Sequence, residues 1–224
     1  MRCTGLILAI ALLAPARAGS QENPAAPVLR VYVVRHAQAW KNVASSQRPK
    51  RMSDEELDAL TPAGLEQAGR IGKALVGHDI DYVYTSPAHR AQQTADAIAR
   101  ALGLPTPPSV DPAFAPLSAG SDQAALDWRW RTRNFDAGKD PRPEAGESLA
   151  DGLARAERAI AKIAAEHPGH AVVVVTHGEI AAALIGRAAG TPLVASYRKN
   201  FIDEGTLREI DVDASGHWRL VSPR

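Results

Sequence analysis

Residues 171–176 read AVVVVT, an almost wholly apolar, β-branched run. A strand with one wet face alternates polar and apolar residues, whereas an unbroken apolar run is a strand covered on both faces, as inside a parallel sheet. Parallel neighbours need crossover connections, and both faces need helices. The chain supplies them. Residues 29–34 (LRVYVV), short and β-branched, read as another strand by length and composition. Thr61-Pro62 opens a helix, with Thr as cap and Pro at the first helical position. Leu65, Ala68, Ile71, Leu75 and Val76 recur after it at helical spacing. Residues 82–85 read as a strand, and Ser86-Pro87 opens a helix reaching about Leu102. A third helix is expected over 147–166, with Leu149, Leu153, Ala156, Ile160 and Ile163 on one face, ended by Pro168-Gly169. Another starts at about Glu179. Residues 206–212 and 217–221, around a turn at 213–216, read as a late hairpin or edge strands. The expected fold class is α/β: a three-layer α/β/α sandwich with a mostly parallel central sheet, spanning 29–224 without repeat or linker. Residues 111–146, rich in Pro and Trp, read as an irregular insertion of the kind that covers active sites.

The first residues carry a different signal. Met1-Arg2 is a short positive start, residues 6–14 are unbroken apolar, and Ala16-Arg17-Ala18 fits a signal-peptidase site with cleavage before Gly19. A buried N-terminal helix is the competing reading. The run is too short for a permanent bilayer anchor. Residues 1–18 are therefore expected to be a signal peptide and 19–28 a loose lead-in, which makes the protein periplasmic or secreted. Cleavage would leave 206 of the 224 residues and remove the single Cys with Arg2 and Arg17, turning a formal +1 into −1. Such a balance, without a basic block, gives no support to nucleic-acid binding. No membrane contact is expected after cleavage, and the oligomeric state is not legible.

Polar chemistry gathers where strands end, the place where open parallel sheets bind ligands. Arg35-His36 follows the first strand, Arg90 sits just inside the helix after the second, and His177 follows AVVVVT directly. One His after a strand is most simply a packed or surface residue. Two His and two Arg at the strand exits of one sheet are not what packing alone produces. Guanidinium groups offer bidentate donors to a tetrahedral anion, and a neutral imidazole can attack phosphorus. No Cys or carboxylate pair accompanies them, so neither a metal nor a cofactor is expected.

The motifs VYVVRHAQAWKN, LTPAGLEQA, SPAHRAQQTADAIA, GESLAD and VVVVTHGE, in that order, resemble the histidine phosphatase superfamily, which includes phosphoglycerate mutases. The resemblance runs from about Val31 to Leu184. It implies an α/β/α sandwich and reaction through a phosphohistidine, with His36 as nucleophile and Arg35, Arg90 and His177 completing the phosphate pocket. Asn42 falls where the family often places a phosphate-contacting Asn; a loop-capping Asn fits equally. The departure is the general acid. Family members carry a Glu after the third strand, where this chain reads DPAFAPLSAG and aligns Pro116. Asp111 and Asp122 are the nearby carboxyls. A phytase-like branch places its acid just after the second His, and here the chain reads His177-Gly178-Glu179. Glu179 is thus a candidate acid, or simply a first-turn carboxylate favoured by the helix dipole.

Other features divide similarly. Residues 128–133 (WRWRTR) fit either a lid over a sugar or anionic substrate or a surface segment whose Trp rings pack on the core, the latter preferred. Arg48, Lys50 and Arg51 add specificity or are merely solvated, His89 flanks the pocket, and His78, His167, His170 and His217 read as surface groups. The leading function is an exported phosphatase acting on small phosphate monoesters. The alternatives are phosphoglycerate mutase-like transfer and a non-catalytic phosphate-ligand binder.

Overall fold

The two apolar runs pair with each other. The computed structural model describes residues 28–122 and 127–221; the expected signal peptide and residues 19–27 of the lead-in lie outside them. β1 (Val28–Arg35) and β4 (Ala171–Thr176) are parallel neighbours, with Val31 opposite Val172 and Val33 opposite Val174. Leu29, Val31, Val33, Val172 and Val174 face one layer; Tyr32, Val34, Val173 and Val175 face the other. All nine are buried, which is why both strands lack the polar alternation of a half-wet sheet.

β2 (Ile80–Thr85) joins β4, and the two-residue β3 (Ser109–Val110) lies at its edge. β5 (Leu207–Asp213) and β6 (Trp218–Leu220) form the late hairpin, with β5 antiparallel to β1. The order is β3-β2-β4-β1-β5-β6, parallel in its first four strands. α2 (Pro62–Ala74) and α3 (His89–Leu102) cover one face through Ile71, Ala91, Ala95 and Ile98. α5 (Leu149–Glu166) and α6 (Gly178–Ala188) cover the other through Leu149, Ile160, Ile180 and Leu184. The result is the expected sandwich. Each such fully buried aliphatic side chain contributes about 1.5–3 kcal/mol.

Several expectations need correction. Leu65 is 51% exposed, because α2 buries the stripe of Gly64, Ala68, Ile71 and Gly72 and leaves it on the flank, and Val76, 62% exposed, lies in the turn past the end of the helix. α3 begins at His89, since Ser86 Oγ accepts the Ala88 N–H and stays at the strand exit. α5 begins at Leu149 under a capping box of Ser148 and Asp151. Glu147, outside it, accepts from Arg155 Nε at 2.8 Å and Ser118 N at 3.0 Å. Arg155 also donates to the carbonyls of Ala115 and Pro116, tying the insertion to α5. The insertion is not wholly irregular: Asp111 caps a 3₁₀ turn (Pro112–Phe114), and Asp127 caps α4 (Trp128–Asp136). Two further short helices, α1 (Asp54–Asp58) and α7 (Leu193–Lys199), carried no periodic signal long enough to read.

Candidate active site

The pairing of β1 with β4 ends at Arg35 opposite Thr176, so Arg35-His36 and His177 leave the sheet side by side. The His36 N–H donates to Thr176 O at 2.9 Å. The first turn of α3 brings in Arg90, and the His36 and His177 rings stand 5.1 Å apart. All four expected residues line one cavity of about 820 Å³.

Their hydrogen bonds define their chemical states. His36 Nδ1 lies 2.9 Å from the Ala37 carbonyl, which only a protonated nitrogen can satisfy, so the Nε2 lone pair stays free. Burial, and then the Arg90 charge, push the His36 pKa down to about 3. His177 Nδ1 faces Arg90 Nη2 at 2.8 Å. Arginine only donates, so Nδ1 accepts and the proton sits on Nε2, which donates to Ser86 Oγ at 2.7 Å. Burial first, with Arg90 second, holds His177 well below the usual imidazole range. Both rings are neutral.

The arginines are gripped from behind. Arg90 Nη1 bonds Asp58, which also takes Lys41 Nζ at 3.2 Å and the His89 N–H at 2.8 Å. Burial works to raise the Asp58 pKa, but the Arg90 and Lys41 charges outweigh it and hold it low. Arg35 donates to Ile202 O at 3.1 Å and Glu204 Oε1 at 3.0 Å, with its guanidinium stacked 4.8 Å from the Phe201 ring centre. Burial pushes the Glu204 carboxyl up, only partly opposed by Arg35 and Arg90. The Nε atoms of Arg35 and Arg90 are buried without a hydrogen-bond partner, an expensive state for a donor unless a ligand meets it. Gly178 permits this packing, because a Cβ there would lie 2.7 Å from the Phe201 ring and 3.5 Å from Arg35 Nε.

The remaining candidates sort cleanly. Asn42 lines the cavity while its Oδ1 accepts the Ala39 N–H at 3.3 Å, so the capping and pocket positions coincide. Pro116 lines the cavity, where no proton can come from it. Asp111 is spent on its cap at Ala113 N, and neither it nor Asp122 lines the cavity. Glu179 is the one carboxylate among the described lining residues. The preferred reading of the WRWRTR segment fails for Trp128, which is 59% exposed and lines the cavity together with buried Arg131. His89 is outside the cavity, offering only its backbone to Asp58. Arg48 staples its own loop at Val43 O and Lys41 O, and Lys50 and Arg51 are exposed. Sequence reasoning missed Asp58, Ser86 and Glu204. Ser86 obeys the strand-exit rule and was findable; Asp58 and Glu204 are 32 and 169 residues from the arginines they hold.

Among the described residues no three His, Cys, Asp or Glu side chains group as metal ligands. The arrangement can grip a tetrahedral dianion with two guanidinium groups and aim an imidazole lone pair at it.

Known proteins agree with this architecture. A relative from Erwinia tasmaniensis named "Probable phosphoglycerate mutase GpmB" is 28% identical over 178 residues, 76% of this chain and 80% of the relative. Its counterpart in Serratia proteamaculans matches equally. A mycobacterial glucosyl-3-phosphoglycerate phosphatase superposes with a TM-score of 0.69 at 23% identity, covering 87% of this chain and 98% of that one. The α-ribazole phosphatase of Shigella flexneri gives 0.61 at 23%, covering 86% and 94%. At such identities these structures carry the fold. Residues 31–223 match the family model for the histidine phosphatase superfamily, branch 1, and the chain belongs to that superfamily.

Proposed function

We propose that the protein is an exported phosphatase that hydrolyses small phosphate monoesters through a phosphohistidine on His36. The observation that carries this reading is a neutral, buried His36 with its Nε2 lone pair free beside two arginines whose Nε donors lack partners. Arg35, Arg90 and Asn42 bind the phosphoryl oxygens. His36 Nε2 attacks phosphorus, the bond to the alcohol oxygen breaks, and Glu179 gives that oxygen a proton. Water, losing a proton to the Glu179 carboxylate, then displaces the imidazole and releases orthophosphate. His177 holds Arg90, and its Nε2–H passes from Ser86 to a phosphoryl oxygen as charge spreads there. No metal or cofactor enters these steps.

Hydrolysis is preferred over phosphate transfer within one substrate for two reasons. Pro116 stands where the mutase-like acid is expected, and export separates the chain from cytoplasmic glycolytic intermediates. A pure binder gains nothing from a nucleophile in this state. The test is orthophosphate release from a panel of monoesters. Isomerisation without release marks a mutase, and binding without either marks a binder. His36→Ala is expected to abolish both turnover and the phosphohistidine trapped by quenching. Mass spectrometry of the periplasmic fraction should find a mature chain beginning at Gly19; a cytoplasmic chain retaining Met1 refutes export.

A further inference from the structure

Residues 36–38 leave β1 as a short loop in which every backbone N–H is taken. The His36 N–H goes to Thr176 O at 2.9 Å, and the Ala37 N–H goes to Thr94 Oγ1 at 3.0 Å. The Gln38 N–H donates to a side-chain amide, Gln67 Oε1, at 2.9 Å. This last bond differs from the others in what lies across the peptide. The Gln38 N–H and the Ala37 carbonyl belong to one planar group, and that carbonyl accepts the His36 Nδ1 proton at 2.9 Å. A single peptide therefore joins Gln67 Oε1 to the ring of the nucleophile. Hydrogen bonds in such a chain polarise one another, so an acceptor on the N–H makes the carbonyl a better acceptor in turn. The same bond fixes which way the peptide faces. With the plane held, the ring is satisfied when Nδ1 carries the proton, and Nε2 keeps its lone pair for phosphorus.

Close packing of α2 brings Gln67 to this peptide. A Cβ at Gly64, one turn earlier, would lie 2.1 Å from Gln38 O, so glycine is what lets the helix approach the loop. Thr61, the cap of α2, donates its own N–H to Gln38 O at 3.0 Å. On the other side, a Cβ at Gly205 would lie 2.7 Å from Gln67 Cβ. The Gly205 N–H reaches the Arg35 and His36 carbonyls at 3.3 and 3.2 Å. Gln67 is thus wedged between the nucleophile's loop and the turn behind Arg35. Thr61, Gly64 and Gln67 all belong to LTPAGLEQA, a segment none of whose residues lines the cavity.

We propose that Gln67 is a positioning residue for the nucleophile: by accepting the Gln38 N–H it orients and polarises the Ala37 carbonyl, which holds His36 in the tautomer protonated at Nδ1. This rests on the phosphohistidine reading and adds to it a residue that touches neither the substrate nor the reacting atoms. A glutamine that only satisfied a loop donor would matter to stability alone, and its loss would leave the tautomer unmoved.

The test uses Gln67→Met, which keeps the side-chain length without an acceptor oxygen, and Gln67→Glu, which keeps that oxygen. Nitrogen NMR of the phosphate-free wild type should place the His36 proton on Nδ1. Gln67→Met should shift it in part to Nε2. It should also slow phosphohistidine formation from nitrophenyl phosphate, followed by rapid quench, by about tenfold to a hundredfold, the weight of one donor left unpaired. Inhibition by orthophosphate should stay within about threefold of wild type, because Arg35, Arg90 and Asn42 keep their places. Gln67→Glu should return the Nδ1 proton and most of the rate. Should Gln67→Met fold poorly, the wild-type spectrum still decides: a His36 ring protonated at Nε2 overturns the proposal. An unchanged rate and tautomer in Gln67→Met overturn it too, while leaving the phosphatase standing. So does a loss in Gln67→Glu as deep as in Gln67→Met, or a loss of rate matched by an equal loss of orthophosphate binding. Absence of any trapped phosphohistidine in the wild type overturns the phosphatase reading itself.

Discussion

Glu204 presents an unusual balance, and replacing it with Gln tests how the cup releases its product. The side chain is 19% exposed and holds Arg35, itself 15% exposed, at 3.0 Å. Its pKa is nevertheless raised, because burial outweighs the attraction of Arg35 and Arg90. A carboxyl raised on folding contributes stability below its unfolded pKa and loses it as pH climbs through the folded value, so at neutral pH its charge is a net cost. Gln imitates the protonated form and keeps an acceptor for Arg35, whose orientation is also held by Ile202 O and Phe201. The fold should therefore be as stable as wild type or slightly more so. Phosphate binding should change more. An anion meeting Arg35 Nε lies beside the Nη2 that holds Glu204, its charge roughly 6–8 Å from the Glu204 charge given the width of such a bidentate group. At an effective dielectric of about 40–80, removing one negative charge that distance from a dianion is worth about 1–3 kcal/mol. Orthophosphate should then inhibit Glu204→Gln about fivefold to 150-fold more tightly. The assay is the product-inhibition constant in steady-state kinetics, beside urea unfolding. Sulfate inhibition of the wild type should tighten towards the variant's value as pH falls and Glu204 takes its proton, while the variant's stays nearly flat. Asp58→Asn is the control of opposite sign: its pKa is depressed, so the substitution should cost about 1–3 kcal/mol at neutral pH, a loss that shrinks in acid. Weaker orthophosphate inhibition in Glu204→Gln would refute the argument and reduce Glu204 to a prop for Arg35.

Two further outcomes are expected. Glu179→Gln should slow alkyl phosphates by about 10²–10⁴-fold, the usual weight of a general acid, yet leave nitrophenyl phosphate within a few-fold, because nitrophenolate departs unprotonated; equal slowing on both removes Glu179 from that role. His36 and His177 are neutral in the fold with depressed pKa values, so their contribution to stability is present above the unfolded imidazole value near 6.5 and is lost as pH falls through the folded values, which for His36 is about 3. The urea midpoint should decline across that window and less so in a His36→Asn, His177→Asn double variant; a rate profile with an acid limb near 6.5 assigned to His36 by NMR contradicts its burial.

The layers and the heart of the cup were legible in the chain before it folds. AVVVVT has no polar face, so only a sheet covered on both sides accommodates it; LRVYVV is a short β-branched strand, and residues placed at the ends of the two leave the sheet together. That is why Arg35, His36 and His177 were legible, with Arg90 one helical turn beyond the next strand. Short-range chemistry was equally plain where one residue bonds its neighbour's backbone, as at the Thr61 cap of α2. What the tertiary structure alone decided were the partners that set charge. Asp58 and Glu204 reach the arginines across loops whose course depends on packing, and nothing local marks a carboxylate as facing inward. Arg131 shows the same limit from the other side. WRWRTR alternates like a strand, but capping by Asp127 winds it into a helix, and helical rotation turns Arg131 inward while leaving Arg129 and Arg133 in water. Patterns of hydrophobicity encode which surfaces are buried; the pairing of buried charges is settled only when distant segments meet.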